Sequence, residues 1–539
     1  MKNKLLLIGL LSIVCLNFQL NAQSIFQLYS FYSSTDSKAK ATCVSSTGSS
    51  YLAGEFSDEL IIGFNYKNAF GRNSAYISKQ TATGDIPFMQ TISGTADVFV
   101  SVIQSHGDTL IIGGTYSDSL FIGTDTLYNP NFKGIYIGLY DTLGNYLNSW
   151  TTNSYSASLY DFKVSQSSQL VVGGEFFGEF DFGGNALNST LGFNFFVFTL
   201  DLNSFTEVWI EKSDGVATNV RKIGFDDSGN IYAGGSYGDG TLIQGTSLPG
   251  VSGDHNAFVA KYNSIGNLIW VKTLTGPVQT HGLSLAVSGS GDVYFGGEYE
   301  MSLDVPMVGT LMNVGLMDAF IVKLNATGDF LWGKNVGTLD NDELVDVKLD
   351  NYDNPIILAN AGKQLDYQGL DINSNGFYDP ILIKLDKTNG MPIWDFRIPS
   401  APNSGIVHGY SFDIRDSIIS LCGSNKTGIQ YFNDLLDSPN LDDSFWALIK
   451  DTTFSVSSAG LNSNKQNSVE IFPNPFSNYF KLTNLDADAR IQLIDQSGSE
   501  IVSCIQSGNF FYFTQEIEPG VYILKITTNE YTIYKKLLH

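Results

Sequence analysis

The sequence predicts an all-β chain: a seven-bladed β-propeller of four-stranded blades over residues 24–451, a linker over 452–468 and a small Ig-like β-sandwich over 469–539. Three observations predict it. A strand rich in paired glycines recurs about every sixty residues, a second apolar strand with a glycine turn recurs in the same phase, and the composition changes after residue 451.

The first strand reads Tyr51-Leu52-Ala53-Gly54, Ile111-Ile112-Gly113-Gly114, Val171-Val172-Gly173-Gly174, Tyr232-Ala233-Gly234-Gly235 and Tyr294-Phe295-Gly296-Gly297, with degenerate copies at Ile357-Leu358-Ala359-Asn360 and Ser420-Leu421-Cys422-Gly423. From 54 through 114, 174, 235, 297 and 360 to 423 the steps are 60, 60, 61, 62, 63 and 63, which makes seven copies. Glycine weakens an isolated strand, so its recurrence predicts close approach of neighbouring backbones. The second strand is clearest as Ala257-Phe258-Val259-Ala260-Lys261 and Ala319-Phe320-Ile321-Val322-Lys323, each followed by a turn glycine, Gly266 or Gly328, and a strand carrying Trp270 or Trp332. A further strand precedes each glycine pair. The unit is therefore four antiparallel strands, A to D, with short A–B and C–D turns and long B–C loops such as Gly238 to Asp254 and Tyr299 to Met317.

Stacked units can form an open solenoid or a closed ring. The ends favour closure. The last repeat has A near His408 to Ile414, B near Ser417 to Gly423 and C near Phe445 to Lys450 but lacks D, whereas the first is preceded by a spare strand, Ile25 to Tyr32. That spare strand is expected to complete the last blade.

At the N-terminus Lys2 and Lys4 precede an apolar run, Leu5 to Leu16, and a small-residue exit at Ala22, which reads as a signal peptide over 1–22 cleaved between Ala22 and Gln23. The run is too short and too interrupted for a spanning helix, and no later segment approaches 18 unbroken apolar residues, so no transmembrane segment is expected. The formal charge of -24 becomes -26 without Lys2 and Lys4, which argues against nucleic acid as a partner. The remaining cysteines, Cys43, Cys422 and Cys504, are too few and odd in number for a disulfide framework.

Three constellations could carry chemistry. His281 and His408 lie about 16 residues before the strand B glycine, where Lys38, Asp97, Ser158, Asn219 and Glu343 also fall within one position. Strand A is innermost in a propeller, so His281, Glu343 and His408 are candidate binding residues at a channel rim, against the plainer reading of a hydrated polar edge. Asp371, Asn373, Asn375 and Asp379 follow the D-x-N-x-N-G-x-x-D spacing in which alternate oxygen ligands and a turn glycine hold Ca²⁺. Leu382 stands where an EF-hand would have Glu, and an Asx-rich turn without metal is the alternative. Apart from calcium no cofactor is expected. Asp-Thr/Ser-apolar triplets such as Asp141-Thr142-Leu143 resemble O-glycosylation acceptors of Bacteroidota, though ordinary turn chemistry explains most such triplets. No nucleophile elbow, H-E-x-x-H or phosphate loop is present, so no catalytic residue is assigned.

Two resemblances extend this reading. The segments Gly229 to Gly266 and Gly291 to Gly328 follow G-N-x-Y-x-x-G and then A-F-V-x-K-x-N-x-x-G, which resembles the bacterial SBBP β-propeller repeat. Past the linker, Pro473-Asn474-Pro475, Asp495 with Gly498, Pro519-Gly520 with Tyr522, and Lys535-Lys536 follow in order. This series resembles the type A sorting domain of type IX secretion, the Por secretion tail of Bacteroidota. The resemblance implies a secreted or outer-membrane surface protein reached through the periplasm, with the type IX machinery as partner. Long loops on a rigid scaffold then suggest non-enzymatic binding or adhesion to carbohydrate or a surface protein, with a glycan-degrading enzyme or a surface-layer component as alternatives.

Overall fold

The computed structural model describes residues 23–451, apart from 166–167, 251–254, 363, 368–369, 374–377, 402–404, 427, 432–433 and 437–441, and beyond 451 it describes only the strands between 470 and 538. The expected signal peptide, the linker and the motif residues Pro473, Asn474, Pro475, Asp495, Gly498, Pro519 and Gly520 lie outside the described residues, as does Ala22. The described regular structure is entirely β, and it falls into two compact units divided at Ser455.

In the first unit the same four-stranded antiparallel meander recurs. In the fifth repeat it runs Thr280–Val287, Val293–Val305, Gly309–Leu324 and Phe330–Val336 in strict sequence order. The inner A strands of the seven repeats are Ser37–Val44, Val98–His106, Ser154–Val164, Asn219–Phe225, Thr280–Val287, Glu343–Leu349 and Val407–Arg415. Each neighbours the next, and the seventh neighbours the first, so they form a cycle around an axial channel. The seventh repeat takes its outer strand from the other end of the chain. Gln23–Ser30 pairs antiparallel with Asp443–Asp451, from Gln23 opposite Asp451 to Ser30 opposite Phe445. The expected spare strand thus starts earlier and stops before Tyr32, which pairs instead with Ile61.

Burial follows the same cycle. Among the described residues the core divides into seven apolar clusters, one between each pair of adjacent repeats. The closing interface packs Leu52, Phe56 and Tyr76 of the first repeat against Cys422 and Trp446 of the last. Cys43 and Cys422 are free and buried, and serve as small apolar side chains.

The register explains the glycines and corrects one alignment. Every A strand carries a β-bulge, whose extra residue is Lys40, Ser101, Tyr160, Arg221, Leu283, Val345 or Tyr410. The second glycine of each pair faces this bulge within its own repeat: a Cβ at Gly114, Gly174, Gly235 or Gly297 would lie 1.8 to 2.1 Å from a carbonyl oxygen of the A strand. The first glycine instead makes room for the next repeat, a Cβ at Gly173 lying 2.6 Å from Val220 and one at Gly296 lying 2.8 Å from Leu344. In the sixth repeat the residue opposite the bulge is Ala359, not Asn360. Asn360 reaches the following repeat, donating to the Gly409 carbonyl at 3.0 Å and accepting its N–H at 2.8 Å.

The recurring C-strand lysine is a second link between repeats. Lys323 pairs with Asp292 of its own A–B turn at 2.8 Å and donates to the Lys387 carbonyl of the next C–D turn at 3.0 Å. Lys384 pairs with Asp350 at 2.7 Å and with Asp451 of the seventh repeat at 3.2 Å. Where the third repeat lacks a turn glycine, Phe205 itself takes the left-handed conformation, φ 53°, and is held there by burial in the core. Asp141 accepts the N–H of Leu143 and of Asn145, the turn chemistry that its triplet allowed.

The long B–C loops are not loops. Every repeat extends strands B and C into a second hairpin, an arm, as in Glu59–Ile62 with Asn65–Asn68 and Leu242–Ile243 with Thr246–Ser247. In repeats two, three and five the arm continues the blade strands past a bulge, where Asp118, Gly178 or Met301 has positive φ and re-aims the ladder.

The second unit contains two four-stranded antiparallel sheets. One orders Glu470–Phe472, Tyr479–Thr483, Phe510–Phe513 and Cys504–Ser507, and the other Glu500–Ile501, Arg490–Ile494, Val521–Thr527 and Thr532–Leu538. Val521–Thr527, which carries Tyr522, is central in its sheet, as expected for a strand apolar on both faces, and Lys535 and Lys536 lie on the edge strand beside it.

Candidate functional site

His281, Glu343 and His408 stand at the start of their A strands, at the mouth of the cycle, the end from which the arms continue strands B and C. Register places Lys38, Ser158, Asn219, His281, Glu343 and His408 at equivalent positions, two residues before each bulge. In the second repeat the equivalent residue is Phe99, not Asp97, because its A–B turn is one residue shorter. Asp97 lies just before the strand and pairs with Arg72 at 3.1 Å.

Around these residues stand groups that spacing alone did not single out. Glu298 sits opposite His281 on strand B. The rings of His281 and His255 are 5.1 Å apart, and those of His408 and Tyr378 are 5.6 Å apart. Arg221, the bulged residue of the fourth repeat, lies with its guanidinium 4.0 Å from the centre of the Tyr160 ring, whose hydroxyl donates to Glu175 at 2.6 Å. The extra residues Lys40, Ser101, Tyr160 and Tyr410 line the cavity between the A strands, so the residue two places after each rim position is a signal that would have found Tyr160 and Tyr410.

The mouth perturbs its titratable groups strongly. Burial, with repulsion from Glu343, pushes Glu298 up to about 7, although Arg221 opposes this. Burial likewise raises Glu343. His281 is driven down to about 4 by burial, then by His255 and Arg221, and His408 is lowered chiefly by burial. His281 and His408 are therefore neutral near pH 7, while Glu298 exchanges a proton there.

Of the proposed calcium run, Asp371 and Asn373 stand on the arm strand Leu370–Asn373 and Asn375 lies outside the described residues. Asp379 opens strand C, is buried, accepts the Ser400 N–H at 2.8 Å and faces Arg397 Nε at 3.6 Å.

From the bulges inward, a cavity of about 210 Å³ is lined by A strands of six of the seven repeats. No helix among the described residues is long and apolar enough to cross a membrane.

Two curated proteins resemble parts of the chain. One is an uncharacterized WD repeat-containing protein of Acanthamoeba polyphaga mimivirus, 24% identical over 208 residues, covering 33% of this chain and 15% of that protein. The other is the regulatory protein FlaEY of Caulobacter vibrioides, 27% identical over 143 residues, covering 25% of this chain and 15% of that protein. The chain thus matches only a small part of either relative's length. Among solved structures, hydrazine synthase of Kuenenia stuttgartiensis aligns with 71% of this chain and 92% of its own at 9% identity, with a TM-score of 0.41, below the level that marks a common fold. Residues 470–539 match the secretion system C-terminal sorting domain. That domain directs passage through the type IX machinery, and the chain is therefore an exported protein of the outer-membrane surface or the medium.

Proposed function

We propose that the exported chain is a non-enzymatic binding protein: a seven-bladed β-propeller of the SBBP type, followed by an Ig-like sorting domain, that presents its arms to carbohydrate or a surface protein outside a Bacteroidota cell. The cyclic order of the A strands and the pairing of Gln23–Ser30 with Asp443–Asp451 support the propeller.

The observation that carries the binding reading is where large apolar side chains meet water. Phe64 on the first arm, Leu191 on the third and Met307 on the fifth are 102%, 82% and 88% exposed. Tyr66, Phe70, Tyr128 and Phe132, on the first two arms or the turns beside them, are also exposed, and Phe70 meets Phe121 of the neighbouring arm at 5.6 Å. Single exposed apolar residues are ordinary, but a series concentrated on projecting hairpins of one face marks a contact surface. Aromatic rings flanked by Asn and Asp suit sugar faces as well as protein surfaces.

A second reading is glycan cleavage, favoured by Glu298, which holds a proton near neutrality beside Glu343, as an acid–base carboxyl pair requires. A glycan-array screen of the secreted protein, with hydrolysis monitored, tests both. Binding that Phe64→Ala with Tyr128→Ala abolishes supports the arm surface. Turnover that Glu298→Gln abolishes supports the enzyme, and neither result from any glycan would leave only a protein partner for the arms.

A further inference from the structure

We propose that the deeper half of the axial channel binds a small tetrahedral oxyanion, phosphate or sulfate, either free or as a terminal ester on a sugar. The proposal is independent of the arm surface, since the cavity runs from the bulges toward the A–B turns.

The charge distribution points to it. The chain carries a formal charge of -24, yet Lys40, Lys163, Lys222, Lys348 and Arg415 line one cavity of about 210 Å³. They come from five different repeats. A run of basic residues on one strand could be an accident of local composition, whereas five A strands must each turn a cation inward to build this belt. The volume is that of roughly seven water molecules, enough for a hydrated oxyanion or the charged end of a sugar ester.

The four carboxylates nearby, Asp161, Asp346, Asp413 and Glu55, which faces Lys40 at 3.9 Å, leave the five-cation belt one positive charge in excess. Asp161 accepts the Ile223 N–H at 2.9 Å and Asp413 the Val44 N–H at 2.8 Å, so both also serve as links between adjacent repeats. Asp346 lies between Lys222 at 3.2 Å and Lys348 at 2.9 Å, one carboxylate shared by two cations. Lys163 makes no ion pair with any described residue, since the ion pairs of the channel involve Lys40, Lys222 and Lys348. Burial, together with Lys348 and Lys222, lowers its pKa in spite of Asp161 and Asp413, which is the condition that a bound anion relieves. Four of the five cations are lysines, whose compact ammonium groups suit an oxyanion approached from several sides better than the flat fork that arginine offers a carboxylate.

The test is thermal shift and calorimetry on the secreted protein with inorganic phosphate, inorganic sulfate and N-acetylglucosamine 6-sulfate, against sodium chloride at matched ionic strength. The expected result is saturable stabilisation by at least one oxyanion, weakened tenfold or more by Lys163→Gln and retained by Lys163→Arg. Tighter binding of the sugar sulfate than of free sulfate identifies an ester as the source, and the reverse identifies the free ion. Arg415→Gln, at an exposed position, gives the same readout if Lys163→Gln does not fold, with a several-fold loss expected. No saturable effect beyond that of sodium chloride, or undiminished affinity in the variants that fold, would overturn the proposal.

Discussion

A Cβ placed on Gly297 would lie 1.8 Å from the carbonyl oxygen of His281, the residue that opens the channel mouth. The glycine and the rim residue are thus one device. The bulge that follows the rim residue brings the A-strand carbonyl onto strand B. Gly297→Ala is therefore expected to lower stability by about 2–3 kcal/mol through strain at the bulge. Ala359 at the equivalent position of the sixth repeat shows that a repeat built for a methyl group can hold one. Urea denaturation measures the change, and a midpoint equal to that of the parent would refute the steric origin of the motif.

The closure between first and last repeats has its own polar centre. Ser420 Oγ lies 2.6 Å from Thr42 Oγ1, 2.7 Å from Ser50 Oγ and 2.8 Å from the Trp446 indole nitrogen, all buried. Ser420→Ala removes the acceptor of the indole N–H and is expected to cost about 2 kcal/mol. Ser417→Ala, outside this network on the preceding turn, should cost under about 0.5 kcal/mol. Equal melting temperatures for the two variants would mean that the closing interface does not depend on this network.

The period and the partners of each strand were readable because glycine pairs and turn glycines recur in one phase, and the spare first strand and the missing last one revealed the exchange. The arms were not readable. Their strands are as short as the two residues Leu242–Ile243, too few for alternation to show. The basic belt was hidden for a different reason. A bulge inserts one residue into every A strand, so Asp161 and Lys163 follow a different phase from Ser158, and simple alternation assigns them to the wrong face. The same offset, with the shorter turn of the second repeat, put Asp97 where Phe99 stands.

The mouth should give stability a pH dependence of known sign. Glu298 titrates at about 7 in the folded chain and at about 4.3 when unfolded, so between these values the native state holds the extra proton. Its contribution is present in full below about pH 4.3 and is lost as pH rises through 7. His281, lowered to about 4, acts oppositely: its contribution is present above about 6.5 and is lost as pH falls through 4. Glu298→Gln removes only the first. Its melting temperature relative to the parent should be higher at pH 8 than at pH 5, and a difference independent of pH would show that Glu298 is an ordinary surface carboxylate.

The division of labour between the two units is tested most directly by removing residues 470–539 and fractionating a host that carries the type IX machinery. The ring has its own seven interfaces and is closed by a strand from its own N-terminal side, so the shortened chain should stay folded and protease-resistant, yet remain in the periplasm while the full chain reaches the surface or the medium. A shortened chain exported as efficiently as the full one would contradict the role assigned to the tail, and one that is folded only when the tail is present would contradict the independence of the ring.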